Sequence, residues 1–341
     1  MQDEVGWLGG IFSGLAGKDT TDWTLIDGLA DPGLGIAGKP IAADECYVEI
    51  YVESLRLKKA RKFATSFHGV VYSFARLAQE AGEDAQLAAI SKPDELAKMD
   101  PANLDRVITM STQMMGAVPW RGGPLRLELG LFCVKSGNLL SPLLDYVTRV
   151  SSIGGISYIG QVKPFLPLIT EGMDLIAGQS QDVTLEVAVH TSMTLQASRL
   201  CAVIAVPKNG VTAANLSLDP SDRKLLLNGQ PLKEAYCVFS IRCTDQKADY
   251  GAIPEIRTAW AALKTGILSA DVKQADTAMQ AFRRTVLVSA DLITRDKNRL
   301  IKKAQEMKDA AFPAGPGLVS REFLRPNDLS KIDLADLQIY D

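Results

Sequence analysis

The sequence has 341 residues, of which 47% are hydrophobic and 23% are charged, which is typical of a globular protein with a substantial core. The formal net charge of −3 excludes an overall positive field that would draw the chain to nucleic acid or to an anionic membrane. The longest apolar region, 153–177, is interrupted by charged residues and prolines, so it does not predict a membrane-spanning helix.

The five cysteines predict a reducing, cytoplasmic environment. Their number is odd, they form no C-x-x-C pair, and they lie in apolar, strand-like surroundings: Cys46, Cys133, Cys201, Cys237 and Cys243. Such cysteines are typical of reduced thiols that pack as small hydrophobic side chains. The first four residues carry no positive charge, so no secretory signal is predicted.

Residues 1–43 form a glycine-rich N-terminal segment with no sustained hydrophobic period. Its stretch "GLGIAGKPI" has the G-x-x-x-x-G-K spacing of a phosphate-binding P-loop, but Pro40 stands where a P-loop has Ser or Thr. A strand follows it instead of a helix, so we interpret the stretch as a turn-rich loop and predict no nucleotide. The apolar run that contains Trp7 and Phe12 is interpreted as a contact with this chain or a partner, and a membrane surface is left open.

Alternation of apolar and polar residues predicts the strands of a domain that spans 44–246. The predicted strands are 23–26, 46–53, 69–77, 86–90, 106–114, 125–131, 183–189, 200–206 and 236–243. Within 224–232, the pair Asn228 and Gly229 predicts a tight hairpin with a type I′ turn.

Hydrophobic residues at helical spacing predict a helical insertion at 138–177 and C-terminal helices at 250–311. The last of these helices is predicted at 294–311. The predicted core faces of the two before it are Ile256, Trp260, Leu263 and Ile267, and Val272, Ala275, Met279, Phe282 and Val286. Residues 312–341 keep too many apolar side chains for a disordered tail, so they are predicted to dock on their own or a neighbouring surface. The predicted fold is therefore α+β: mainly an antiparallel β-sandwich, with a helical insertion and a C-terminal helical bundle.

The run "RLKKARK" carries five positive charges in seven residues: Arg56, Lys58, Lys59, Arg61 and Lys62. We interpret it as a solvated strand end that discourages edge pairing, and binding to phosphate groups stays open as an alternative.

No catalytic or metal-binding residue is predicted, because the two histidines, His68 and His190, have no ligand or dyad spacing around them. Carboxylates in two loops could converge on calcium: Asp219, Asp222, Asp245 and Asp249. Their spacing matches no calcium motif, and the first pair is better explained by a turn. No cofactor is expected.

The stretch "VPWRGGPLRLELGLF" has the most specific sequence in the chain. A buried Trp120 explains it, and the guanidinium of Arg121 could bind a partner carboxylate. With "LSLDPSDRKLLLNGQPL", this stretch resembles uncharacterised bacterial proteins with C2-like β-sandwiches in defence or conflict operons. The resemblance covers about residues 45–290, and it implies a C2-like sandwich and a role in antiphage defence.

These features predict a non-enzymatic binding or assembly component of a bacterial multi-protein system. Protein partners or self-association are expected through side chains of both chain ends and of the Trp120 turn: Trp7, Phe12, Trp120, Arg121, Phe323, Leu324, Ile339 and Tyr340. Nucleic acid is not expected as a partner. Two alternatives stay open: a structural subunit of a phage or contractile-injection particle, and a membrane-acting effector.

Overall fold

The structure is a computed structural model that describes residues 23–58, 61–62, 65–78, 85–91, 108–135, 171, 183–206, 210–312 and 331–340. These residues belong to two compact units. The first unit takes in the described parts of 1–43 and 48–243, and the second takes in those of 44–47 and 244–341. The content is α+β with mainly antiparallel sheets, which confirms the predicted fold class.

The described strands are β1 (Thr24–Leu29), β2 (Tyr47–Arg56), β3 (Arg61–Lys62), β4 (Thr65–Leu77), β5 (Ala85–Ile90), β6 (Ile108–Pro119), β7 (Pro124–Lys135), β8 (Val183–Thr194), β9 (Arg199–Ile204), β10 (Leu216–Leu218), β11 (Leu225–Leu227), β12 (Gln230–Pro231) and β13 (Tyr236–Thr244). Each strand predicted from alternation coincides with one of them. The observed strands often extend further, because alternation fades where both faces of a strand are buried.

The first sheet has the order β1-β9-β13-β2-β6. Strand β9 pairs antiparallel with both β1 and β13. Its side chains from Leu200 to Ile204 are fully buried, as expected of a continuous apolar run in a central strand.

The second sheet has the order β3-β4-β7-β8, and β5 also pairs with β4. Strand β7 pairs antiparallel with β4 and β8, and its alternating leucines are fully buried. At Gly69 on β4, an added Cβ would lie 3.0 Å from Cδ1 of Leu55 on β2. The two sheets therefore pack closely against each other at this point.

A small sheet of β10, β11 and β12 completes the first unit. Between β11 and β12, Asn228 and Gly229 have φ angles of 50° and 77°, as a type I′ turn requires. The predicted hairpin is therefore confirmed.

The second unit contains the helices α1 (Pro254–Leu268), α2 (Val272–Val288) and α3 (Thr294–Ala311). The predicted core faces are buried, at Ile256, Trp260, Leu263 and Ile267 of α1 and at Ala275, Met279, Phe282 and Val286 of α2. The placement of Val272 on the same face is wrong, because Val272 begins α2 ahead of the first buried turn and is 52% exposed. No described helix is long and apolar enough to cross a membrane.

The segment 331–340 packs within the second unit. The side chains of Leu334, Leu337 and Ile339 are buried. Trp260 Nε1 and Lys264 Nζ donate hydrogen bonds to the carbonyl of Ile332, at 3.4 Å and 2.9 Å. This part of the predicted docking tail is therefore held by its own unit.

Gly251 lies directly under the segment 331–340. A Cβ added there would lie 2.9 Å from both Cβ and N of Ala335. The change Gly251→Val is therefore expected to displace the segment and to cost about 1 to 3 kcal/mol of stability through overpacking. Amide hydrogen exchange of 331–340 measures the displacement. The exposed neighbour offers a control, Ala252→Val, and equal protection of the segment in both variants would contradict the prediction.

Several predicted features lie outside the described residues. They are the helical insertion 138–177 apart from residue 171, the contacts Trp7, Phe12, Phe323 and Leu324, and the basic side chain of Lys59.

Candidate functional site

The P-loop-like stretch is a turn-rich loop folded around a carboxylate of the chain itself. The side-chain oxygens of Asp31 accept hydrogen bonds from the backbone N–H groups of Gly33, Leu34, Ile36 and Ala37, at 3.0, 2.6, 2.6 and 2.9 Å. A P-loop offers the same kind of donor to phosphate. Here an internal carboxylate occupies the donors.

These hydrogen bonds also set the acidity of Asp31. Partial burial acts to raise its pKa, but the four backbone donors outweigh burial and hold the pKa below the usual value of 3.8. Since the folded pKa is lowered, the stabilisation is complete above pH 3.8 and is lost as pH falls through the folded pKa.

Removing the carboxylate with Asp31→Ala is expected to lower the free energy of unfolding by about 1 to 2 kcal/mol near pH 7, as for the loss of a capping side chain. Asp31→Asn keeps one acceptor oxygen but does not titrate. It should therefore lose less free energy of unfolding than Asp31→Ala, and its stability should fall less steeply as the pH is lowered. Urea unfolding across an acidic pH series measures both effects. An unchanged acid branch in Asp31→Asn would refute the assignment.

A buried carboxylate, Glu53, is the centre of a polar network in the described part of the first unit. Its side chain is 0% exposed, and its Oε2 accepts a hydrogen bond from Arg223 Nη1 at 2.8 Å. Its Oε1 accepts from Arg242 Nη2 at 2.5 Å and from the hydroxyl of Ser240. We call these four residues the Glu53 cluster.

The Glu53 cluster joins β2, β13 and the loop between β10 and β11. Arg223 in that loop has a left-handed backbone, with φ of 55°, and its carbonyl accepts a hydrogen bond from Ser54 Oγ at 2.9 Å. Both oxygens of Glu53 are occupied and no part of the side chain reaches solvent. Three donors of the same unit thus hold the buried Glu53 carboxylate, and the arrangement is suited to holding the loop on the sheet.

Further polar side chains continue the network across the same sheet. The guanidinium of Arg242 lies 4.1 Å from the ring centroid of Tyr51, a cation–π contact. Gln113 Nε2 on β6 donates a hydrogen bond to Glu49 Oε1 on β2 at 2.9 Å. These contacts tie β6, β2 and β13 together by their side chains.

His190 has an acidic neighbour that its sequence spacing did not predict. Strand pairing places it opposite Glu128, and His190 Nδ1 lies 3.4 Å from Glu128 Oε1. The histidine is 58% exposed while the glutamate is 5% exposed. Only the register of β7 and β8 brings the two together, so spacing along the chain gave no signal. The side chain of His68 lies outside the described residues.

In the second unit, the buried carboxylate of Asp296 on α3 accepts hydrogen bonds from two tyrosines. The hydroxyls of Tyr47 and Tyr340 lie 2.8 Å and 2.7 Å from its Oδ2. On the other side, Nη1 of Arg299 lies 3.3 Å from Oδ1. We call these residues the Asp296 cluster.

The tyrosines of the Asp296 cluster remain protonated donors. Burial, and then the charge of Asp296, raises the pKa of Tyr47, and burial likewise raises the pKa of Tyr340. Their hydroxyl oxygens also accept hydrogen bonds from the backbone N–H groups of Ile293 and Lys247, at 3.2 Å and 2.7 Å. The cluster is thus satisfied by its own unit.

The calcium candidates fall in two places. Asp219 accepts hydrogen bonds from the N–H and hydroxyl of Ser221 and Asp222 pairs with Lys224, as a turn would require. Asp245 and Asp249 belong to the second unit. Among the described residues, no group of three or more His, Cys, Asp or Glu side chains could hold a metal ion.

The described members of the basic run contact their own unit. Arg56 Nε donates to the carbonyl of Lys233 at 3.2 Å, and Lys58 Nζ lies 2.9 Å from Glu234 Oε2. That hydrogen bond, with the charge of Glu234, raises the pKa of Lys58. Arg61 and Lys62 form β3, which pairs with β4.

Predicted contact residues at the Trp120 turn and in the tail occupy different environments. Trp120 and Ile339 are each 3% exposed, so both side chains pack inside the chain. Arg121 and Tyr340 are intermediate in exposure. Tyr340 belongs to the Asp296 cluster.

The exposed large hydrophobic side chains of the described residues lie on α1 and α2. They are Leu268 (39% exposed), Val272 (52%), Leu287 (46%) and Val288 (81%). The last two follow directly after the buried Val286, so the run "VLV" could have signalled that α2 is apolar beyond its core face. Sequence reasoning missed this surface.

Cations accompany these side chains on the outer side of α2. Lys273, Arg283 and Arg284 are exposed, and none of them forms an ion pair with a described residue. Arg283 and Arg284 precede Leu287 and Val288 by four residues each, a spacing that makes them neighbours on the surface of a helix. We call these five residues the α2 surface.

Comparison of the chain with protein-family models, curated proteins and solved structures finds no match in any of the three.

Proposed function

We propose that this protein is a non-enzymatic binding or assembly component that contacts another protein through the α2 surface. The observation that carries the proposal is the grouping of exposed aliphatic side chains with cations that have no described partner. Exposed apolar side chains grouped in this way are typical of protein contact sites. The resemblance of the sequence suggests a bacterial defence system as the setting.

The buried charge networks support a role without catalysis. An active site needs a titratable group whose lone pair or proton can reach a substrate. In the Glu53 and Asp296 clusters, the buried carboxylates instead accept hydrogen bonds from arginine, serine and tyrosine donors of the same unit. Both clusters are suited to fixing a scaffold.

We further propose that the two five-stranded sheets form a C2-like sandwich that acts as this scaffold. The close approach of Gly69 to Leu55 supports it, because sheets that face each other need small side chains where backbones come near. The β7 leucines and the β9 run would supply the two inner faces.

Site-specific photo-crosslinking tests the proposed function. A photoreactive residue replaces Gln280, which is exposed on α2 between Lys273 and Arg284. In cells of the source organism, it is expected to crosslink to a discrete protein. The matched control carries the same residue at exposed Gln196 of the first unit. Absence of a product at Gln280, or the same products at both positions, would reject the proposed function.

A further inference from the structure

Resting on the proposed function, we propose that the α2 surface binds an acidic protein segment that also carries aliphatic side chains. The α2 surface supplies three positive charges, from Lys273, Arg283 and Arg284. The chain as a whole has a net charge of −3, so this local excess runs against the overall sign. A surface of this kind selects a partner by opposite charge.

These cations form no ion pair with a described residue of the neighbouring elements. Asp276 is the acidic residue of α2, and its carboxylate already lies 2.5 Å from Lys308 Nζ on α3. Lys308 itself is 15% exposed. Asp276 is therefore paired with α3.

Two further carboxylates lie near the ends of the α2 surface: Asp271 accepts a hydrogen bond from the N–H of Lys273 at 2.8 Å, and Glu255 accepts one from Ser289 Oγ at 3.3 Å. Among the described residues, neither forms an ion pair with Lys273, Arg283 or Arg284.

The exposed aliphatic side chains of the α2 surface would add apolar contacts to the binding of the partner. Leu287 and Val288 are 46% and 81% exposed. Burying them would contribute about 25 cal/mol per Å² of apolar area removed from water. A free phosphate or a simple polyanion would leave both side chains in water, whereas a segment that alternates carboxylates with leucine-like side chains covers them.

The spacing of the α2 surface fits a segment that follows the helix. Lys273, Gln280, Arg284 and Leu287 are separated by seven, four and three residues, so they lie along one side of α2. At 1.5 Å per residue this stripe is about 20 Å long. A partner segment of about four helical turns would contact both its cationic and its aliphatic parts.

A second copy of this chain is a less favourable partner for the α2 surface than an acidic segment. In a two-fold interface the same patch contacts itself. The α2 surface carries cations only, so self-contact would bring like charges together. A second copy and an anionic lipid surface are therefore outcomes that would overturn the proposal.

The test uses the full chain and three synthetic 18-residue peptides. Each peptide repeats two residue types at helical spacing along one face: Glu and Leu in the first, Glu and Ser in the second, and Lys and Leu in the third. Fluorescence anisotropy is expected to show binding of the Glu–Leu peptide and at least about tenfold weaker binding of the other two. The variant Arg283→Glu/Arg284→Glu should weaken Glu–Leu binding about tenfold or more, and Leu287→Ser/Val288→Ser should weaken it as well.

The matched control is Arg257→Glu/Lys302→Glu, which changes the charge equally at exposed positions of α1 and α3. It should leave binding unchanged, and thermal unfolding verifies that every variant is folded. Equal binding of the Glu–Ser peptide, or equal weakening by the control variant, would overturn the proposal. So would a dimer in light scattering that Arg283→Glu/Arg284→Glu dissociates, or preferential binding to vesicles of anionic lipid. Crosslinking at Gln280 without binding of the Glu–Leu peptide would reject an acidic, aliphatic partner segment but would leave the proposed function unaffected.

Discussion

Replacing Asp296 with alanine is expected to lower the free energy of unfolding of the second unit by about 3 to 5 kcal/mol. The change removes the acceptor of both tyrosine hydroxyls, at 2.8 Å and 2.7 Å, in a position where the carboxylate is 0% exposed. Tyr47 would be left as a buried donor and Tyr340 as a partly buried one, and an unsatisfied buried donor costs about 1 to 3 kcal/mol. Hydrogen exchange of peptides from α3 and urea unfolding measure the loss.

The matched control for Asp296 is Asp276→Ala in the same unit. Asp276 also pairs with a cation, but its side chain is 48% exposed, so its ion pair should contribute at most about 1 kcal/mol. Similar losses for both variants would show that the Asp296 cluster is not a cooperative network.

Replacing Glu53 with alanine is expected to destabilise the first unit by about 3 to 5 kcal/mol, because it leaves two arginines without their shared counter-ion. The side chains of Arg223 and Arg242 are only 25% and 29% exposed, so water cannot fully replace Glu53. The loop between β10 and β11 should also become mobile, since Arg223 fastens it. Urea unfolding gives the energy, and hydrogen exchange of 219–224 reports on the loop.

A double-mutant cycle separates the interaction energy between Glu53 and Arg242 from the effect of changing either residue alone. Arg242→Met combined with Glu53→Leu replaces the charged contact by an apolar one and should recover part of the loss, because a buried ion pair can be exchanged for hydrophobic packing. The half-exposed pair Asp222 and Lys224 serves as control, and Lys224→Ala should cost at most about 1 kcal/mol. Additive effects of the two Glu53-cluster changes would contradict a direct coupling.

Local signals in the sequence were sufficient for much of the fold. The type I′ turn at Asn228 and Gly229 depends on two adjacent residues that tolerate positive φ, so it could be predicted without knowing the fold. The limits of α3, residues 294 and 311, were predicted correctly. The helical spacing of its apolar residues runs without interruption between them. Strand β2 was predicted by the alternation that starts near Cys46.

The polar clusters could not be predicted, since their members are distant in sequence. Glu53 and Arg223 are 170 residues apart, and Tyr47 and Asp296 are 249 residues apart. Each contact depends on strand order or on the packing of a helix, and neither is encoded in a short window. The pairing of His190 with Glu128 was missed for the same reason, because it requires the register of two strands.

The composition of the Asp296 cluster has a consequence for biosynthesis. As the nascent polypeptide leaves the ribosome, Tyr47 emerges 249 residues before Asp296, and Tyr340 follows another 44 residues later. Domains often fold in the order of their synthesis. The Asp296 cluster stays incomplete until residue 340 has been translated, because Tyr340 is one of its two tyrosine donors. Tyr47 is made early, but the cluster it joins is therefore expected to close only after residue 340 has left the ribosome.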